Sequence, residues 1–378
     1  MIVQAPGKHP RPVADYRELN KITVLHKFPL PNLEEMVEWV AGAEYVSILD
    51  LVRGFWQVEC SDRAREITAI NTHLGVFEFT KMNMGLVNAT FYFQKLMMTV
   101  CRDLYEFARP YLDDVPVVAA NWPQHLVHLE QFFLKIREAG LTINPAKCQL
   151  GKRKAVFLGH VVGGGHRSPT KKKVKAIQDL PVPKTKKDIR SVLGLIGYYA
   201  HYLQNYAELV APLTDKLRKD EPEIVSWDQN CQDAFCKVKS LLSESPILAA
   251  PNFEREFLVQ TDASRRGIGV VLSQLDDDGN EHPVVYLSKK LTKTEQAYST
   301  IEQECLAVVW GVKKLAPYLA MTHFKLVTDH NPLTWLGKQG SNNGRLLRWS
   351  LFLQDLSFDV VHKKGILNGN ADALSRLF

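Results

Sequence analysis

Tyr111-Leu112-Asp113-Asp114-Val115 sets two consecutive carboxylates among apolar neighbours, and Asp50 lies in a similar strand-like run, Tyr45 to Leu51, earlier in the chain. An isolated buried carboxylate is strongly disfavoured, so acids in that setting need a counter-charge. Mg²⁺ takes hard oxygen ligands, commonly one or two carboxylates completed by water and substrate phosphates. The residue types point to phosphoryl chemistry with metal assistance. A second group of acids lies towards the C-terminus. Asp262 and Asp329 each end an apolar strand-like run, Glu304 lies one turn into a helical pattern on the face of Val308, and Asp372 precedes Leu374. Ser299 and Glu302 fit a capping box, so Glu302 reads as a cap rather than a ligand. Taken singly, each acid is more often solvated or capping; the ordered set carries the weight. Four acids on one site would hold two Mg²⁺ ions, one activating the attacking water and one stabilising the leaving oxygen. His362, on a glycine-containing stretch beside that group, is a candidate for proton transfer and product release.

Elements of two kinds must position these residues. The N-terminal part mixes strand-like runs (Tyr45 to Leu51, Val115 to Ala119) with a helical pattern from Leu126 to Ala139, which reads as α+β. Phe157 to Val162 reads as a short strand before a Gly163-Gly164-Gly165 turn. Thr185 and Asp188 form a capping-box start to a helix carrying Ile189, Val192, Leu193, Ile196 and Tyr199. From Pro251 the pattern changes to strands at 257–261, 268–274 and 284–287, a helix over 301–319 and a strand over 324–328. That order predicts a mixed sheet with helices on its faces.

At 378 residues the chain has room for two or three domains. Its longest apolar stretches fall well short of the roughly 18 residues needed to span a bilayer, so no membrane role is expected. No secretory signal pattern opens it. The six cysteines are scattered without close zinc spacing and read as free thiols in a reducing compartment. The net charge of +6 is unevenly spread: Lys147 to Arg190 holds thirteen Lys/Arg against two acids, a net +11 that leaves the rest of the chain at −5. Lying between the two acid groups, this segment reads as a surface that tracks phosphates.

Further short motifs are Asp15-Tyr16-Arg17-Glu18-Leu19-Asn20, Leu49-Asp50-Leu51, Phe157-Leu158-Gly159-His160, Leu193-Gly194-Leu195 and Gly197-Tyr198-Tyr199. They continue with Thr261-Asp262-Ala263-Ser264, Thr328-Asp329-His330 and Ala371-Asp372-Ala373-Leu374-Ser375-Arg376. In this order, and with Tyr111-Leu112-Asp113-Asp114, the series resembles the reverse transcriptase–ribonuclease H section of Pol polyproteins from gypsy-type LTR retrotransposons. The resemblance implies an α+β right-hand polymerase followed by an α/β ribonuclease H-like domain with a mixed sheet. Truncated fingers and palm would occupy 1–165, thumb and connection 166–250, and the ribonuclease H-like domain 251–378. Asp50, Asp113 and Asp114 would hold two Mg²⁺ ions (Mn²⁺ as the alternative) and direct a primer 3′-hydroxyl onto a dNTP α-phosphate. Phe55 matches the bulky residue that excludes a ribose 2′-hydroxyl. Phe157, Leu158, Gly159 and His160 match a primer-gripping hairpin, and Arg11 matches a finger arginine on the triphosphate. Lys171, Lys172 and Lys173 lie in the basic segment that would follow the backbone. Asp262, Glu304, Asp329 and Asp372 match the four hydrolytic acids, a second pair of metal ions with them, and His362 the loop histidine. The implied partners are an RNA template, a DNA primer, the RNA–DNA hybrid and dNTPs, with a dimer or a longer Pol polyprotein as the assembly. The implied setting is intracellular: a cytoplasmic virus-like particle, and the nucleus at the integration stage.

The chain also departs from that pattern. Gln4-Ala5-Pro6-Gly7 stands where a lysine-rich finger turn is expected, with Lys8 close by. Asn83-Met84-Gly85-Leu86 replaces Pro-Phe-Gly-Leu, and Thr90-Phe91-Tyr92-Phe93 replaces a run of small residues. Pro116 follows the acid pair, where a proline belongs on an edge strand or a bulge. The sequence ends soon after Asp372, which predicts a short final helix. These departures predict a fragment or degenerating copy that keeps both catalytic cores but binds dNTP poorly. Two other readings stay open: a chain in which only the nuclease works, and a non-catalytic nucleic-acid-binding remnant.

Overall fold

The computed structural model describes residues 2–3, 11–12, 14–26, 29–244, 246–320, 322–328 and 344–362, with the backbone alone for 2–3, 11–12 and 362. They fall into two compact units, Met1–Gly165 and His166–Phe378.

In the first unit, helix α1 (Leu33–Ala41) starts at Asn32, whose side chain accepts from the Glu34 N–H. Strand β1 (Tyr45–Asp50) follows and is central in an antiparallel sheet. Its four inner residues, Val46 to Leu49, are all buried, as expected of a strand covered on both faces. Helix α2 (Ala89–Val100) sends Phe93 and Met97 into the same core as Leu49, Val115 and Val117. Strand β2 (Asp114–Ala119) flanks β1 on one side. Helix α3 (Trp122–Glu138) is capped by Asn121, carries a proline in its first turn, and buries Leu129, Phe132 and Ile136 along one stripe. Strand β3 (Gln149–Lys152) completes the sheet on the other side of β1.

The sheet order places β2 at an edge, which is what Pro116 requires. The Pro116 carbonyl accepts from the Arg109 N–H at 3.4 Å, and Val118 N–H donates to the Phe107 carbonyl at 2.9 Å. The backbone of buried Pro116 thus turns away from β1 towards residues 107–109, and the missing N–H removes no bond to β1.

Phe157 to Val162 is not one strand. It is a hairpin of β4 (Ala155–Phe157) and β5 (His160–Gly163), with Phe157 opposite His160. Leu158 and Gly159 both have left-handed φ, 46° and 83°, the backbone of a tight two-residue hairpin turn.

The second unit opens with β6 (His166–Pro169), which pairs antiparallel with β7 (Leu248–Ala249). Between them lie α4 (Lys171–Gln178), α5 (Lys186–Gly197) and α6 (Gln229–Ser243). The Thr185–Asp188 capping box forms as expected. Ile177, Val192, Ile196, Tyr199, Phe235, Val238 and Leu242 make the core of this helical part.

Strands β8 (Phe257–Ala263), β9 (Gly267–Leu275) and β10 (Glu281–Lys290) then run antiparallel. Helix α7 (Thr300–Lys314) follows, capped by the Ser299–Glu302 box. The helix expected over 301–319 stops at Lys314, and a separate turn, Ala316–Leu319, starts around Pro317, which lacks the N–H that an unbroken helix needs. Strand β11 (Phe324–Thr328) lies parallel to β8. Helix α8 (Gly344–Gln354) leads to β12 (Phe358–His362), parallel to β11. The order β10-β9-β8-β11-β12 is the expected mixed sheet, with one strand, β12, that the sequence reading did not identify. Val308 and Val312 of α7 pack on Phe257, Val270, Leu272 and Leu326. A Cβ at Gly311 would lie 2.8 Å from a Val270 methyl, so α7 meets the sheet closely there. The six cysteines are free thiols.

Candidate active sites

Strand register builds the first site. Asp50 ends β1, Asp114 begins β2, and the two are register partners. Tyr111 and Asp114 exchange backbone bonds, N–H to carbonyl, at 2.9 and 3.1 Å, closing a tight turn over Leu112 and Asp113. The Asp113 carbonyl accepts from the Leu51 N–H at 3.0 Å, tying the turn back to the end of β1. Asp50 and Asp114 are half-buried and Asp113 is exposed.

Crowding of like charge is visible at Asp114. Burial first, then the neighbouring Asp113 and Asp50 carboxylates, push its pKa up to about 6, against a smaller opposing pull from Lys147. The Lys147 ammonium sits 3.0 and 3.1 Å from the two Asp50 oxygens. Among the described residues no three His, Cys, Asp or Glu side chains are drawn into a closed metal-ligand group. The donor set is nevertheless all hard oxygen, and the like-charge crowding is what a divalent cation would relieve, so these residues fit Mg²⁺.

Two neighbours that the sequence reading passed over shape this turn. Gln94, on α2, is fully buried; its Oε1 accepts from the Leu112 N–H at 2.7 Å and its Nε2 donates to the Pro110 carbonyl at 2.9 Å. Gly54 has no room for a side chain: a Cβ there would lie 2.8 Å from the Phe93 ring and 3.4 Å from the Asp113 Cβ. A lone amide on the otherwise apolar Phe93–Met97 face was the available signal for Gln94, since buried polar groups are kept for their hydrogen bonds.

Phe55 lies in the short turn Gly54–Gln57, half-buried, with its ring edge-on to Phe93 at 5.5 Å. Asn83 is buried and fully used: its Oδ1 accepts from the Trp56 indole at 3.3 Å, and its Nδ2 donates to the Tyr16 hydroxyl at 3.2 Å. In the hairpin, Phe157 and His160 are buried, so Leu158 and Gly159 are what the tip presents. With 1% exposure, the Phe157 ring belongs to the fold's interior. The Arg11 backbone is the register partner of Val3, and its side chain lies outside the described residues. Lys171, Lys172 and Lys173 form the exposed first turn of α4.

In the second unit, Asp262 lies near the end of β8, opposite Gly269 of β9. Glu304 is buried on α7, the helix that packs on β8 and β9. Parallel pairing of β8 with β11, Gln260 opposite Val327, brings the C-terminal ends of both strands together. Asp329, the next residue after β11, and Asp372 lie outside the described residues, as does the His362 side chain. The His362 backbone is the register partner of Thr328. Glu302 caps α7 as expected and also takes a 2.8 Å ion pair from Arg345.

Comparison with known proteins gives two family matches. Residues 3–162 match the reverse transcriptase (RNA-dependent DNA polymerase) family, and residues 252–356 match an RNase H-like domain found in reverse transcriptase. A retrovirus-related Pol polyprotein from transposon 297 of Drosophila melanogaster is 38% identical over 368 residues, covering 97% of this chain and 34% of that protein. The corresponding polyprotein from transposon gypsy of the same organism is 32% identical over 378 residues, covering 97% and 36%. The chain thus spans about a third of the length of the curated relatives it matches. Among solved structures, a foamy viral protease–reverse transcriptase in complex with double-stranded DNA shares the fold, with a TM-score of 0.86 at 22% identity, over 96% of this chain and 64% of that one.

Proposed function

We propose that this chain, which matches the reverse transcriptase and RNase H-like families and is similar to retrotransposon Pol polyproteins, copies an RNA template into DNA and cuts the RNA of the resulting hybrid during retrotransposon replication. The observation that carries this reading is the register pairing of Asp50 with Asp114 beside Asp113. It brings Asp50 and Asp114 together with Asp113 in the adjoining turn, which supports the reading of a site for a primer terminus and a triphosphate.

Domains of both kinds generally depend on divalent metal ions. Asp50, Asp113 and Asp114 would hold a Mg²⁺ pair, and Asp262, Glu304, Asp329 and Asp372 a second. Bound there, such ions ease deprotonation of the attacking oxygen and neutralise charge on the leaving one. The chain's own residues do the rest by placement. Lys147 counters the Asp50 charge and would compete with a cation for it. Phe55, braced by Phe93, forms a wall of the dNTP site against a 2′-hydroxyl. The Leu158-Gly159 tip holds the primer, Arg11 the triphosphate, and Lys171 to Lys173 the backbone. His362 helps product leave the nuclease site.

Residues 1–165 serve as fingers and palm, 166–250 as thumb and connection, and 251–378 as the nuclease. A ribonuclease H reads the A-like hybrid by shape and 2′-hydroxyls rather than by base sequence. Among the described residues no helix is long and apolar enough to cross a membrane. We place its work in the cytoplasmic particle and, later, the nucleus, within a longer polyprotein or a dimer.

Primer extension on a primed poly(rA) template, run beside hybrid cleavage, tests the reading. Both activities with Mg²⁺ are expected. Cleavage without extension would favour the nuclease-only reading, and salt-sensitive binding without turnover would favour the remnant.

A further inference from the structure

We propose that Gln94 is a positioning residue that latches the carboxylate turn in its working shape. This rests on the reading of residues 110–114 as the polymerase catalytic turn. Leu112 adopts a φ of 52°, the left-handed region that residues other than glycine rarely occupy. It sits directly before Asp113, so any relaxation of Leu112 towards an ordinary backbone moves both acids. The Tyr111–Asp114 bonds close the turn but make no use of the Leu112 N–H. Gln94 takes that N–H at 2.7 Å and, with its other arm, holds the Pro110 carbonyl at 2.9 Å. One amide thus grips the chain on both sides of Tyr111. The grip is stiff because Gln94 is fully buried on α2 between Phe93 and the Met97 turn, both in the core. Phe93 also supports Gly54 and Phe55. The same helix therefore sets the height of the acids and of the Phe55 ring.

The test combines Gln94→Met, which keeps the bulk but loses both hydrogen bonds, with Leu112→Gly, which adopts left-handed φ without strain. Circular dichroism and the thermal unfolding of the full chain, with both units present, report that each variant folds. Gln94→Met is expected to lower the kcat of primer extension roughly tenfold or more with KM for dNTP little changed, because small misplacement costs catalytic alignment heavily. In the Leu112→Gly background the same substitution is expected to cost clearly less. Equal losses in both backgrounds, or no loss in either, would overturn the proposal. Amide hydrogen exchange reads the latch without catalysis: the Leu112 N–H is expected to be slow in the unmodified chain and fast in Gln94→Met. Equal exchange in the two overturns the latch whatever the activity. A clear exchange difference in a chain that extends no primer supports the latch and counts against the polymerase reading alone.

Discussion

Asp114 is where the first site's charge balance can be measured directly. Its folded pKa of about 6 lies above the ordinary 3.8, so between those values the folded state holds a proton that the unfolded chain has lost. Stability from this group is fully present below the unfolded value and is lost as pH rises through about 6. In metal-free protein the Tm is therefore expected to fall across that window, and Asp114→Asn should flatten the fall. Mg²⁺ should restore more stability at pH 7 than at pH 5, because at the lower pH it competes with the proton. An unchanged slope in the variant, followed by thermal shift with and without chelator, would remove Asp114 as the source. Phe55 gives a second expectation at this scale. Phe55→Val should let rNTPs compete with dNTPs in extension while hybrid cleavage stays unchanged; discrimination as strict as in the parent would show that the ring is only packing.

Helix α4 opens on three exposed lysines, at the end where the helix macrodipole disfavours positive charge. An arrangement that costs helix stability makes sense where an anion covers it. Neutralising Lys171, Lys172 and Lys173 to Ala should leave the Tm unchanged or slightly higher. Hybrid affinity should fall about equally for unrelated sequences, and the slope of log K against log salt should drop by up to about 3. A loss confined to particular sequences would argue against phosphate tracking. Elements were legible where the signal was local. The Thr185–Asp188 and Ser299–Glu302 boxes, the strand ending at Asp50 and the edge position forced by Pro116 could all be read from a few neighbouring residues. The Phe157–Val162 hairpin came only from the family resemblance, because two left-handed residues at Leu158 and Gly159 interrupt a run that looks continuous. Strand β12 was missed for another reason: Phe358–His362 is short, and its partner β11 lies far away in sequence, so only the assembled sheet defines it.

Each unit builds its acids onto strand ends: Asp50 and Asp114 on β1 and β2, and Asp262 on β8 beside the end of β11. The acids themselves were legible because carboxylates closing apolar runs conflict with burial unless a cation resolves it. Their supports were not. Lys147 against Asp50 and Gln94 against Leu112 join residues 97 and 18 positions apart, so even the lone amide on an apolar helix face does not reveal its partner. On the proposed reading the two units separate the two chemistries, so one substitution should silence one activity and spare the other. The most direct measurement follows extension and RNA cleavage together, on one primed RNA template with Mg²⁺, for Asp50→Asn and Asp262→Asn. The account predicts that Asp50→Asn stops extension and keeps cleavage, whereas Asp262→Asn keeps extension and stops cleavage. Loss of both activities in either variant, or of neither in both, would contradict it.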